Sequence, residues 1–364
     1  MAIFLTFILY FGSAFLCSYV SNYAFKSTNK YNRRLFKLII FIIPVLVSTF
    51  REKTGTDSEM YIKTYENFQM ISSKRWNDFE IGFKFIIELL NRLGASYHML
   101  FFLMSSILVG CTLLFIDNEK ENINVKVSVF IFMTDLYLIG NNIMRQATVV
   151  AIALYSISIY LDGKRFKSVV LICLSSLIHI SGLITLLVIV FEFLVKNKKY
   201  KIIIASISVI TLFLVINRSL LAIIVMKLTN SAYAMYLTSK VDSGGSLINY
   251  IIKYIFPITI FLIYMDEYKK VPKMKVYVSL VLIGYIFLLL SIFTGTQVQR
   301  IGYSFLYLNI VLFGYISNED CYVMNKRISK NSIGVLVILY AFSICVVNIF
   351  ISGFNEVVPY IPFK

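Results

Sequence analysis

The sequence predicts an all-α protein, a polytopic bundle of transmembrane helices. Composition is the first reason: 59% of the 364 residues are apolar and 15% are charged, with mean hydropathy +0.79. A soluble domain carries about 25% charged and roughly 45–50% apolar residues. The second reason is distribution, because the apolar excess is gathered into runs of roughly 15–25 residues, the length that crosses a bilayer. Charge is the third. A formal +16 is what Lys/Arg-rich cytoplasmic loops produce in a membrane protein, so it implies no nucleic-acid partner. A soluble enzyme, a DNA-binding domain and a disordered chain are excluded together.

Taken in order, candidate spans fall at 2–24, 35–50, 97–116, 127–140, 146–161, 168–195, 202–217, 247–265, 276–293, 301–316 and 333–352. The first has no basic residues ahead of it, so it is expected to remain a membrane helix rather than a cleaved leader. Basic clusters at Lys26–Lys37, Lys164–Lys167, Lys196–Lys201, Lys269–Lys275 and Lys326–Lys330 assign those connections to the cytoplasm. Lys120 and Lys126 add segment 117–126 to the same side.

One span breaks the alternation. Both ends of 168–195 are basic, and Ile178-His179-Ile180-Ser181-Gly182 interrupts its middle. The reading is a broken or re-entrant hairpin with His179 near the tip. Arms of about 12–15 residues reach only about 18–22 Å, and broken backbone at depth needs protein or a water-filled cavity around it. Counted as two passes, the hairpin brings the total to about 11–12 segments and puts both termini outside.

The outer face then holds the loop 51–96, with seven basic and seven acidic residues, and the loop 218–246. The short turns Asn141–Gln146 and Thr294–Arg300 complete it. Within the first loop, residues 79–93 place apolar side chains at 79, 83, 86, 87 and 90 opposite Glu80, Lys84 and Glu88, an amphipathic helix for the membrane surface. Without internal repeats, residues 1–364 read as one integral membrane domain. The five cysteines have no metal-like spacing, so neither a disulfide framework nor a zinc site is expected.

Charges beside apolar spans are the chemical signal, because burying a charge there costs several kcal/mol and marks a path or site. Arg51 follows Phe50, Arg145 follows Gly140-Asn141-Asn142, and Arg300 ends Thr296-Gln297-Val298-Gln299. Guanidinium forks onto phosphate oxygens, so three arginines with amides beside them suggest a shared anionic site. Snorkelling at helix ends is the plainer alternative. His179, in an apolar stretch, has the chemistry to act as a general base or to hold a hydroxyl. Asp57 and Glu59 form an acidic pair, but two carboxylates make a poor metal site, and neighbouring Arg51 and Lys53 favour a salt-bridged loop. Tyr233 and Tyr236 have aromatic faces suited to stacking on sugar rings.

Several stretches together resemble the EpsG family of Wzy-type exopolysaccharide and capsule polymerases. They are Arg51-Glu52-Lys53-Thr54-Gly55-Thr56-Asp57 with Tyr61, Phe79-Glu80-Ile81-Gly82-Phe83, Asn142 with Arg145-Gln146, and Leu177-Ile178-His179-Ile180-Ser181. The resemblance covers about residues 1–350. It departs at Phe83, where the family often has tyrosine. It implies a GT-C-like, membrane-embedded glycosyltransferase in the bacterial cytoplasmic membrane. Such an enzyme transfers a glycan from undecaprenyl diphosphate to the next lipid-linked repeat unit on the outer face. The resemblance also implies Arg145 and Arg300 on the diphosphate and His179 on the acceptor hydroxyl, as the catalytic residues. Arg51, Asp57, Tyr61, Glu80, Asn142, Gln146, Gln299 and Tyr236 are the expected substrate-binding residues. No cofactor or metal is expected. The expected partners are the lipid-linked oligosaccharide, membrane lipid, a flippase and a chain-length regulator. Two rival classes use similar parts: a flippase for lipid-linked oligosaccharide, which would more often show a two-fold repeat, and a polysaccharide O-acyltransferase.

Overall fold

The computed structural model describes residues 2–52, 54–70, 76, 79–197, 255–294, 296–323, 326–347 and 357–362. The chain runs through α1 (Ala2–Lys26), α2 (Lys30–Thr49), α3 (Ser58–Glu66), α4 (Ile81–Arg92), α5 (Tyr97–Glu119), α6 (Val125–Thr134), α7 (Leu136–Gly140), α8 (Met144–Leu161) and α9 (Arg165–Ser176). A 3-10 turn (Ile180–Leu186) leads into α10 (Leu187–Lys196). Then follow α11 (Phe256–Ile263), α12 (Met265–Lys269), α13 (Pro272–Thr294), α14 (Thr296–Leu306) and α15 (Asn309–Ile316). The short strands β1 (Cys321–Val323) and β2 (Lys326–Ile328) precede α16 (Lys330–Val346). Among the described residues, α5, α8 and Ile3–Lys26 of α1 are long and apolar enough to cross a membrane. The chain is a helical membrane protein.

Two compact units divide the chain: Met1–Leu183 with Asn309–Lys364, and Ile184–Leu308. In the first, α8 is central. Its apolar window is 83% buried, against 33% for α1, whose Phe4, Leu5 and Phe15 face outward. Ala147, Ala151, Ala153, Ser156 and Ser158 keep α8 narrow, and small residues of this kind let membrane helices approach closely. It packs between α5 and α9, with Thr148 donating to the Met104 carbonyl at 3.2 Å and Ser168 to the Ser156 carbonyl at 2.8 Å.

Polar bonds collect at the two ends of this unit. At one, His98 Nδ1 lies 2.9 Å from the Thr49 carbonyl, one of the α2 C-terminal carbonyls, and Ser48 donates to Asn141 Oδ1 at 2.6 Å. The C-terminal segment joins the same layer. Tyr360 N–H donates to Thr6 Oγ1 at 2.8 Å, its hydroxyl to the Val47 carbonyl at 3.0 Å, and Glu52 N–H to the Ile361 carbonyl at 2.7 Å. At the other end Lys37 and Lys120 hold Asp117 at 2.6 and 3.0 Å, and Lys26 reaches the Ile123 carbonyl at 3.2 Å. Residues near both chain ends thus share a layer with the 51–57 loop, and basic residues gather at the opposite layer.

The second unit packs α13 on α14, with Gly284 and Gly302 at the crossing, and α10 and α12 against α13.

Several spans are shaped differently from their hydropathy. The run 127–140 is two helices, because the backbone turns out of helical geometry at Asp135. The run 301–316 likewise divides into α14 and α15, and α14 begins at Thr296. Thr296–Arg300 is therefore helix, not the outer turn expected there. The basic connection at 326–330 opens with a strand of a two-stranded antiparallel hairpin, in which Cys321 pairs with Ile328. The run 168–195 does break at the expected place, into α9, the 3-10 turn and α10. Spans 202–217 and most of 247–265, and the loop 218–246 with Tyr233 and Tyr236, lie outside the described residues.

Candidate active site

The site forms where segment 51–96 meets the N-terminus of α8. Gly55 has φ +100°, a backbone that L side chains rarely adopt, and a Cβ there would lie 2.7 Å from the Asn141 carbonyl oxygen. That close approach lets Asn142 Oδ1 accept from Thr56 Oγ1 at 2.7 Å and from the Asp57 N–H at 2.8 Å. One amide thereby pins the Gly55-Thr56-Asp57 turn to the start of α8. Glu59 makes an exposed pair with Lys63 at 2.8 Å.

Arg145, in the first turn of α8, is gripped from several sides. Its Nη1 donates to Glu80 Oε2, with the two side chains 13% and 15% exposed. Its guanidinium carbon lies 4.7 Å from the Phe79 ring centre and 5.0 Å from that of Phe83. Tyr61, buried beside Phe83, accepts from Arg145 as well. Burial pushes the Tyr61 phenol up, and the Arg145 charge opposes that shift. The hydroxyl thus stays protonated at neutral pH. Phe83, the departure from the family's frequent tyrosine, offers Arg145 a π face instead of an oxygen.

Glu80 has a second task. Its Oε1 accepts the Ile180 N–H at 3.0 Å, in the backbone that follows α9. The N–H groups of Gly82 and Phe83, at the start of α4, donate to the Leu177 carbonyl at 2.8 and 3.2 Å. The end of one helix lacks donors for its carbonyls and the start of another lacks acceptors for its N–H groups; here each supplies the other. The break that carries His179 is thereby tied to the loop that carries Glu80.

His179 is half-buried. The Ser181 N–H donates to its Nδ1 at 3.2 Å, and Ser181 Oγ lies 2.8 Å from the same nitrogen. A backbone N–H can only donate, so Nδ1 accepts, and the neutral ring then carries its proton on Nε2.

Arg51 differs from Arg145. It is 1% exposed, donates to the Ser48 carbonyl and lies 4.3 Å from the Phe101 ring centre, with Met144 Sδ 3.9 Å from Nη2. Burial lowers its pKa from the ordinary arginine value, and Tyr10, Tyr137 and Tyr360 oppose that. It has almost no surface to offer a substrate. Asn142 and Gln146 are also buried. Gln299 is buried and Arg300 half-buried on α14, within the second unit.

The geometry therefore brings Arg145, Glu80 and Tyr61 into one bonded assembly, ties the turn that carries His179 to it through the Ile180 N–H, and ties the Asp57 backbone to Asn142. Sequence reasoning missed the aromatic grip on Arg145, Ser181 as the holder of His179, and Leu177 as an acceptor. A signal existed for the first, since Phe79 and Phe83 are four apart and line one face of a helical turn.

The model of the EpsG family matches residues 34–361. The chain belongs to the EpsG family. That membership carries a role of the polysaccharide-polymerase kind. No curated protein and no solved structure matches the chain.

Proposed function

We propose that this EpsG-family protein polymerises a bacterial surface polysaccharide. It transfers a glycan from undecaprenyl diphosphate to the next lipid-linked repeat unit at the outer face of the cytoplasmic membrane. The observation that carries the reading is the double use of Glu80. Through its two oxygens a guanidinium and an imidazole-bearing turn are held together, at the end of the bundle away from the basic layer. The acceptor hydroxyl oxygen bonds to the anomeric carbon as the bond to the diphosphate breaks, and the hydroxyl proton passes to the departing diphosphate. Arg145 stabilises charge developing on the departing diphosphate, the term such preorganised donors supply best. His179, with Nε2–H presented, donates to an oxygen of the reacting sugars and orients it; Ser181 sets that tautomer. Arg51, Tyr61 and Asn142 position the assembly from beneath.

The test is incubation of purified protein with lipid-linked repeat units and gel analysis for a ladder. His179→Ala should stop ladder formation while lipid-linked substrate still binds, and His179→Gln, which keeps a donor, should restore part of the rate. Wild-type laddering by His179→Ala would remove the imidazole from the mechanism. Substrate translocation without any ladder would favour the flippase.

A further inference from the structure

A second feature of the first unit points to the other half of the substrate. A groove of about 370 Å³ runs between α5, α8 and α9, within the size range of ligand pockets. Its walls are Cys111 and Leu114 from α5, Ile152 and Tyr155 from α8, and Leu171 and Leu174 from α9. Leu114 and Leu174 are 48% and 54% exposed, so the groove opens sideways, toward what is hydrocarbon in a bilayer. Its one charged lining residue, Lys167, sits at the end of the basic layer, its Nζ 5.9 Å from the Tyr155 ring centre. From Lys167 to Ser175 the groove follows roughly 12 Å of α9. At its other end is Ile178, which also packs against the cluster containing Phe79, Phe83 and Met144. Two residues further on, the Ile180 N–H is held by Glu80. The groove thus ends directly beneath the assembly that grips Arg145.

We propose that this groove seats the head-proximal isoprene units of the polyprenyl carrier, a proposal that rests on the polymerase reading. A diphosphate at the depth of Arg145 must send its lipid into the bilayer, and the groove begins one residue from His179 and descends from there. An apolar channel with its polar end at Arg145 and no second charge until Lys167 suits an unbranched-headed, methyl-studded chain anchored from above. A phospholipid of the opposite leaflet, with its phosphate on Lys167, would enter from below and is the competing occupant.

The first experiment separates lipid recognition from polymerisation. A photoreactive residue at Leu114, with protein reconstituted in phosphatidylglycerol vesicles, should crosslink to radiolabelled polyprenyl phosphate. Excess unlabelled polyprenyl phosphate should compete, and added phosphatidylglycerol should not. Absence of that crosslink, or competition by the phospholipid, overturns the proposal whether or not the protein makes a ladder. The second uses donors with a long polyprenyl tail or a one-carbon (methyl) tail, which is too short to enter the groove. Leu174→Trp and Leu114→Trp add bulk at exposed positions and should leave folding intact. They should raise KM for the long-tailed donor at least tenfold and leave kcat on the short-tailed donor within twofold of wild type. An unchanged KM ratio in both variants, or loss of the long-tail preference in Lys167→Ala, overturns the assignment. A wild-type protein that crosslinks the lipid yet never forms a ladder would overturn the polymerase reading and leave the lipid groove standing.

Discussion

Glu80 divides its two oxygens between an ionic partner and a backbone partner, and substitutions can separate those tasks. Glu80→Gln keeps an acceptor for Ile180 and loses the charge opposite Arg145; Glu80→Ala loses both. Breaking a fully buried pair costs about 3–5 kcal/mol. Residual exposure of Glu80 and Arg145 screens this one, so about 2 kcal/mol is expected for alanine. Thermal unfolding in detergent should rank wild type above Gln and Gln above Ala; equal midpoints for all three would separate Glu80 from the fold. For Arg145→Lys the charge survives, but the planar fork and its seat between Phe79 and Phe83 do not. Loss of that contact in the transition state should lower the ladder rate by about 30- to 1,000-fold with little change in unfolding. Arg145 is proposed to supply the positive charge, so activity should survive EDTA. Complete loss restored by Mg²⁺ or Mn²⁺ would assign that role to a metal and return attention to Asp57.

At the scale of elements, the device is the junction between the end of α9 and the start of α4. A Cβ at Gly82 would lie 2.7 Å from the Leu177 carbonyl oxygen and 2.8 Å from the Leu177 Cβ, closer than real contacts allow. Gly82→Ala should therefore push α4 off Leu177 and loosen the turn at Ile180. The expected signature is faster amide exchange at Gly82 and Ile180 together, with loss of activity, while exchange in α8 stays slow. Protection unchanged at Ile180 would mean that the two elements are not coupled. The amphipathic pattern of 79–93 anticipated α4 (Ile81–Arg92), because Phe83, Ile87 and Leu90 repeat at helical spacing and are buried. It did not anticipate that Ile81, Phe85 and Leu89 form a second, exposed apolar stripe. Periodicity identifies a face that packs; it cannot say what lies against the other one.

For the whole molecule the open issue is sidedness. The Lys/Arg pattern places Lys164–Lys167 and Lys196–Lys201 on one side, and α9 and α10, with 12 and 10 residues, are each too short to cross a ~30 Å core alone. In a cysteine-free background, Lys164→Cys and Asn197→Cys should both resist an impermeant thiol reagent in intact cells. A cysteine near Thr6 and one near Tyr360 should both react. Labelling of Asn197→Cys alone would convert the hairpin into a single tilted passage.

What the sequence determined by itself was set by composition and local pattern: the membrane class, the breaks that follow polar interruptions such as His179, and the motifs that identify the EpsG family. These are legible because the cost of placing charge and unpaired backbone in hydrocarbon acts residue by residue. Only the tertiary structure decided the partners. Arg51 and Arg145 look alike in sequence, each an arginine at the edge of an apolar run. One is sealed over Phe101, and the other is held by Glu80, which lies 65 positions away in the chain. The tautomer of His179, the tie of the Asp57 turn to Asn142 and the groove beneath Ile178 likewise depend on tertiary packing. Hydropathy says nothing of that, because every apolar face is equally content against lipid or protein, and polar contacts and close-packed small residues choose between them.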